Sequence, residues 1–298
     1  MPIRLPTGRL NKGGVDDGKP LLQPDAATSL NPSQRRYFHR TPTATGVSAT
    51  GYRGGSRKGM DLTLGLPTVS LPSSASETDS DPTRGGILLR TIRRVKDQQV
   101  VSGPSRLVDE ILAQSGAQSI LDLVQSMWKE DTFAFHPTVP GSRPSLRIIP
   151  RKEFSATTDL FRCPRIGLEL SHRSTTNSPW DPRVAFVCRP YRYVVNPELL
   201  TLNGRPQTFL GVYDHLSNST KGGTSKLAEA IASVTGIQRQ TVLKYIDYLN
   251  LGLEGKRALD SFIRTKTRSV ADYLAMVGAL RRQSSSVIVV ESDPEREP

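Results

Sequence analysis

Apolar residues recur at helical spacing most clearly in the run KLAEAIASVTGIQRQTVLKYIDYLNL, from Lys226 to Leu251. Leu227, Ala228 and Ile231 fall on one face of a first helix, predicted over Lys226 to about Val234 with Ser225 as its cap. Gly236 stands where the chain must turn sharply, and Ile237 is an apolar plug just after it. A second helix follows, with Val242, Tyr245, Ile246 and Leu249 on its inner face. Arg239, Gln240, Leu243 and Lys244 are left on the other face. Ala232, four residues before the glycine, is small enough for the two helices to cross closely.

The rest of the pattern is mixed. Ordered structure is expected to begin near Ile87, where ILLRTIRRVK reads as a strand or as a basic, nuclear-localisation-like patch. After Pro104, the spacing of Leu107, Val108, Ile111 and Leu112 predicts an amphipathic helix from Ser105. Gly116 interrupts it, and Ile120, Leu121, Val124, Met127 and Trp128 continue a second one. A β-rich centre is expected next, from SLRIIP, RIGLELSH, VAFVCRPYRYVV and TFLGVYDHL, separated by Pro, Gly and Asn clusters. Beyond the hairpin, helices are predicted over about Lys256 to Arg264 and Val270 to Arg282. The expected fold is therefore α+β: one mixed domain over residues 85–284, with a central β-rich part and helical ends.

Composition changes the picture at both ends. Residues 1–84 are poor in apolar positions and rich in Ser, Thr, Pro and Gly, which predicts a disordered arm dispensable for folding. The arm is basic, with ten Lys/Arg against three Asp between Met1 and Met60. Its GYRGGSRKG stretch places Arg53, Arg57 and Lys58 in the Gly-Arg mixture of RNA-binding segments. Residues 285–298 form an acidic tail. The full chain carries a net charge of +12, which favours nucleic acid first and anionic membrane surface second. No apolar run is long enough for a membrane span, and the first residues lack the apolar centre of a signal peptide. Cys163 and Cys188 fall in apolar segments, consistent with two buried thiols in a reducing compartment.

The run TGIQRQTVLKYI resembles the helix-turn-helix of resolvase/invertase recombinases and, more loosely, of ParB-type partition proteins. The resemblance covers this hairpin alone and none of those proteins' catalytic or nucleotide-binding parts. It implies base contacts from Arg239, Gln240, Leu243 and Lys244, with phosphates held by Lys226, Arg257 and the arm. The same pattern also fits an ordinary helical hairpin whose glycine ends a helix.

Two short segments suggest protein partners. Val287, Ile288, Val289 and Val290, followed by Glu291, Ser292 and Asp293, resemble a SUMO-interacting motif, which adds a strand to a sheet edge. A final edge strand of the protein's own sheet fits them equally. Leu62, Leu64 and Leu66 form an LxLxL pattern similar to the repression motif of plant Aux/IAA proteins, which docks into a co-repressor groove.

Catalytic motifs are missing: there is no GxSxG elbow, HExxH helix or Gly-rich phosphate loop, and the four histidines are scattered. A non-enzyme without cofactor or metal is expected. Two functions compete. One is a DNA-binding regulator in a eukaryotic nucleus. The other is a viral structural protein, of the matrix or nucleocapsid-associated kind, that binds RNA or membrane, self-associates and resides in the virion; plant rhabdovirus matrix proteins are similar in size and charge.

Overall fold

The computed structural model describes residues 36–40, 51–64, 85–134 and 159–291. The chain divides into two compact units, Met1–Glu153 and Phe154–Pro298, in place of the single domain expected across 85–284. The fold is mixed α+β, with helices beside three small antiparallel sheets among the described residues.

In the first unit, β1 (Arg36–Phe38), β2 (Met60–Leu64) and β3 (Gly85–Leu88) form an antiparallel sheet with β2 in the centre. Phe38 faces Met60 and Leu62 faces Ile87. A second ribbon pairs β4 (Thr91–Arg93) with β5 (Val100–Ser102). Helix α1 (Pro104–Ser115) starts on a proline, whose missing N–H costs nothing at that position. It ends at Gly116 in the left-handed region. Ser119 then caps the short α2 (Ile120–Asp122), accepting from the Asp122 N–H at 3.0 Å, and a π turn over Leu123–Met127 follows. Phe38, Met60, Ile92, Leu107, Val108, Leu123 and Trp128 make the core, whereas Leu121 points outward.

Part of the expected disordered arm is therefore built into this unit. Phe38 and Met60 are almost wholly buried. Arg36 is buried with them, its guanidinium 4.0 Å from the centre of the Trp128 ring. It donates to the carbonyls of Asp131 (3.2 Å), Thr132 (3.2 Å) and Phe133 (2.7 Å). Burial lowers its pKa to about 10, which still leaves it charged at neutral pH. Composition misreads this stretch because its few apolar residues are rescued by strands and a helix far along the chain. The remainder of the expected arm lies outside the described residues.

In the second unit, β6 (Phe161–Cys163) pairs antiparallel with β7 (Arg192–Val194). Between them, Asp181 caps the short α3 (Pro182–Val187) by accepting from the Arg183 N–H at 2.9 Å. Four longer helices follow: α4 (Arg205–Ser217), α5 (Gly223–Thr235), α6 (Arg239–Leu253) and α7 (Val270–Glu291). Their core includes Phe209, Leu210, Ile231, Leu249, Leu274 and Met276.

Several expected strands are something else. RIGLELSH runs through turns, VAFV is α3, and TFLGVYDHL belongs to α4. Gln207 to Val212 of α4 are all buried, so that helix has no polar stripe to betray its period. SLRIIP lies outside the described residues. Of the helix expected over Lys256 to Arg264, only a single turn at Leu259–Ser261 forms. Helix α7 continues well past Arg282 to Glu291 and takes in Val287 to Val290. Those four residues are helical, which overturns the edge-strand expectation; adding them as a strand to a partner would require the end of α7 to unwind.

Candidate nucleic-acid interface

Helices α5 and α6 meet at a turn set by two adjacent residues. Gly236 has φ 68°, a conformation that a side chain resists, and its N–H donates to the Ala232 carbonyl at 2.9 Å. Ile237 is then driven into the core. Its N–H donates to the Thr235 hydroxyl (3.2 Å), which itself donates to the Ile231 carbonyl (2.7 Å). The turn is thus closed by hydrogen bonds on both sides of the glycine.

The inner face of α6 matches the sequence pattern, with Val242, Tyr245, Ile246 and Leu249 all buried. Helix α4 packs on both α5 and α6, giving a three-helix unit. The Tyr245 ring stands edge-on to Phe209 of α4, centroids 5.3 Å apart. Burial raises the Tyr245 pKa, so the phenol stays neutral at physiological pH.

The outer face needs more correction. Gln240 and Lys244 are exposed one turn apart, and Arg239 is exposed beside them at the helix start. Asp247 continues the same stripe, a carboxylate that the sequence reading passed over. Leu243 is half-buried and packs against the core rather than facing out. Ser225 is no cap, because α5 begins at Gly223 behind Gly222. Its hydroxyl instead accepts from the Arg239 guanidinium at 2.8 Å, tying the start of α6 to the first turn of α5. Lys226 is exposed next to it.

Arg257 is already engaged within the fold. Its guanidinium lies 4.5 Å from the Phe262 ring centre and pairs with Asp272 at 2.8 Å. That bond, with one from Ser269, holds the Asp272 carboxyl below its usual range. In the first unit, Arg53 donates to the Arg40 carbonyl at 2.9 Å and Lys58 is ion-paired with Asp109. Arg57 is exposed in a short turn, Gly55–Arg57. Leu62 and Leu64 lie in β2, Leu62 paired with both neighbouring strands and Leu64 with Gly85 of β3, so the pattern is part of a sheet; Leu66 lies outside the described residues.

The two cysteines are free thiols. Burial pushes Cys163 up to about 11 and Cys188 up to about 12, so neither is a nucleophile at neutral pH. Among the described residues, no group of three or more His, Cys, Asp or Glu is placed to hold a metal ion. None of the described helices is long and apolar enough to cross a membrane.

No family model matches the chain, and no solved structure matches it. Over 78 residues it is 36% identical to an uncharacterized protein of Acanthamoeba polyphaga mimivirus. The similarity is to a viral protein. It covers 26% of this chain and 33% of the mimivirus protein, so the chain spans about a third of the relative that it matches.

Proposed function

We propose that the chain is a non-enzymatic nucleic-acid-binding protein that presents the start of α6 to a duplex. The observation that carries this reading is the two-faced character of α6: a fully buried inner row, and Arg239, Gln240 and Lys244 exposed at its N-terminal end. A helix enters the major groove by that end, and arginine, glutamine and lysine can all read base edges there. Lys226, beside the Arg239–Ser225 contact, is positioned for a phosphate. Asp247 sits farther along the helix, where it repels the backbone and selects against loose, indiscriminate contact.

The similarity to a mimivirus protein supports a viral setting. Action in a host nucleus belongs to this proposal and rests on the duplex-facing helix alone. A second reading compatible with a viral setting is a virion structural protein that binds nucleic acid without sequence preference and self-associates. A regulator prefers one duplex over others by several kcal/mol at fixed salt, about 4–10 kcal/mol in typical cases. A packaging protein binds any strand with a steep salt dependence.

Fluorescence anisotropy with duplex DNA at two salt concentrations tests the interface. Arg239→Ala with Lys244→Ala should weaken binding to the preferred duplex about tenfold or more and relax its sequence preference, whereas Lys226→Ala should flatten the salt slope by about one. Asp247→Asn should strengthen it. Unchanged binding in the double variant would remove α6 from the account.

A further inference from the structure

We infer that the β6–β7 ribbon and α3 form a second nucleic-acid surface, one that takes unpaired bases of a single strand. Four large aromatic side chains are solvent-exposed within residues 180–193: Trp180 (79%), Phe186 (50%), Tyr191 (52%) and Tyr193 (57%). Aromatic residues make up only 6% of the chain, so their concentration in one exposed stretch calls for an occupant.

The geometry brings Phe186 and Tyr191 together beside the β6–β7 ribbon that carries Tyr193, with Trp180 just before the Asp181 cap of α3. Arg162 and Tyr193 are directly paired across β6 and β7, and both face solvent while their neighbours Phe161 and Val194 face the core. Tyr191 precedes Tyr193 by two residues, and its ring lies 6.1 Å from that of Phe186 on α3. Arg183 sits three residues before Phe186, on the same side of α3, and is exposed with it. Arg189 is exposed between the two elements.

The charge identifies the partner. Across Trp180–Val194 and Phe161–Leu168 the only carboxylate is Asp181, which is already occupied in capping α3 and in accepting from Thr176. Asp214 of α4, near Cys163 and Cys188, is held through both oxygens by Arg281, so exposed rings flanked by arginines match a polyanion whose bases can lie on the rings. Each base has a π-face, so stacking is tolerant of sequence, while the guanidinium groups follow the phosphates. A duplex hides its base faces in its own stack, so the rings distinguish single strands from the duplex assigned to α6. No residue of this surface belongs to α6.

The test uses the full-length protein with a labelled oligouridylate and a labelled duplex DNA of matched length, at one salt concentration. Tyr191→Ala with Tyr193→Ala should cut oligouridylate affinity about tenfold or more and leave duplex affinity and melting temperature unchanged. Tyr193→Phe, which keeps the ring, should bind like the parent. Arg239→Ala with Lys244→Ala should show the reverse selectivity; if that variant binds duplex normally, α6 fails as an interface and the ribbon is still judged by the oligouridylate alone. An unchanged oligouridylate affinity in the double tyrosine variant overturns the inference. So does an unchanged affinity accompanied by a lower sedimentation coefficient, which would make the patch a self-association face.

Discussion

The closest approach in the second unit is between α6 and α7, and a single methyl group should expose how much depends on it. A Cβ added at Gly278 would lie 3.0 Å from the Gly252 Cα and 2.9 Å from the Leu253 nitrogen, and would overlap the Leu249 carbonyl oxygen. The reciprocal Cβ at Gly252 would meet the Gly278 carbonyl carbon at 2.8 Å and overlap the Ala275 carbonyl oxygen. Every one of these atoms is backbone, so no side chain can rotate out of the way. To recover ordinary carbon contacts of about 3.5–4.0 Å, the helices must separate by roughly an ångström. Tyr273 to Leu280 are buried without a break, and their packing would loosen with that shift. At an open mid-helix site, glycine to alanine would instead stabilise by about 1 kcal/mol. Overpacking costs about 1–3 kcal/mol and sometimes more, and with the lost dispersion it outweighs that gain. Gly278→Ala should therefore destabilise by about 2 kcal/mol net, which lowers the melting temperature by about 5–10 °C. Circular dichroism melts of parent and variant measure this directly. An unchanged or raised melting temperature would refute the close crossing.

Other consequences can be checked with simple variants. Val242→Asp places an unpaired charge in a fully buried site and should unfold the second unit, seen as loss of its cooperative melt. Asp272, whose carboxyl is held below its ordinary range chiefly by the Arg257 hydrogen bond, contributes stability that is present above that range and lost as pH falls through the depressed value. Asp272→Asn should accordingly flatten the decline in stability below about pH 4, and an unaltered acid limb would contradict the pairing. Cys163 and Cys188, with pKa raised to about 11 and about 12, should resist a thiol reagent at neutral pH and both react in denaturant. Fast labelling of Cys163 in the folded protein would disprove its burial, and fast labelling of the partly buried Cys188 would contradict its raised pKa.

The helical hairpin was legible because α5 and α6 are amphipathic, with apolar residues returning every three or four positions and a glycine at the only sharp turn. Helix α4 was not, since Gln207 to Val212 are all buried, the polar Gln207 and Thr208 with the apolar Phe209, Leu210 and Val212, and polarity there does not follow the helical period. Strands β1 and β2 were missed for a different reason. The alternation of Met60, Leu62 and Leu64 in β2 is a local strand signal that was read as a docking pattern, while β1 has only three residues and becomes a strand by pairing with β2. At the interface, the exposure of Arg239, Gln240 and Lys244 followed from helical geometry. Arg257 looked equally available in sequence, but Asp272 and Phe262, brought to it by the fold, engage it. The whole of VAFVCRPYRYVV was expected as strand, but only Arg192–Val194 pairs, and the exposure of Tyr191 and Tyr193 beside it depends on which residues the fold turns outward.

Arg36 also fixes an order of events. Its guanidinium donates to the carbonyl of Thr132, 96 residues later in the chain. During synthesis β1 can meet β2 early, but its charged neighbour in the core has no partner carbonyls and no Trp128 ring until that later stretch has left the ribosome. Before then the Arg36 guanidinium stays in water, so any early pairing of β1 with β2 lacks its buried anchor. Closing so long a loop has an entropic cost that grows only slowly with length, yet it is met before the contacts that repay it are made. The first unit should thus fold late and all at once, with its earliest strand among the last pieces to lock.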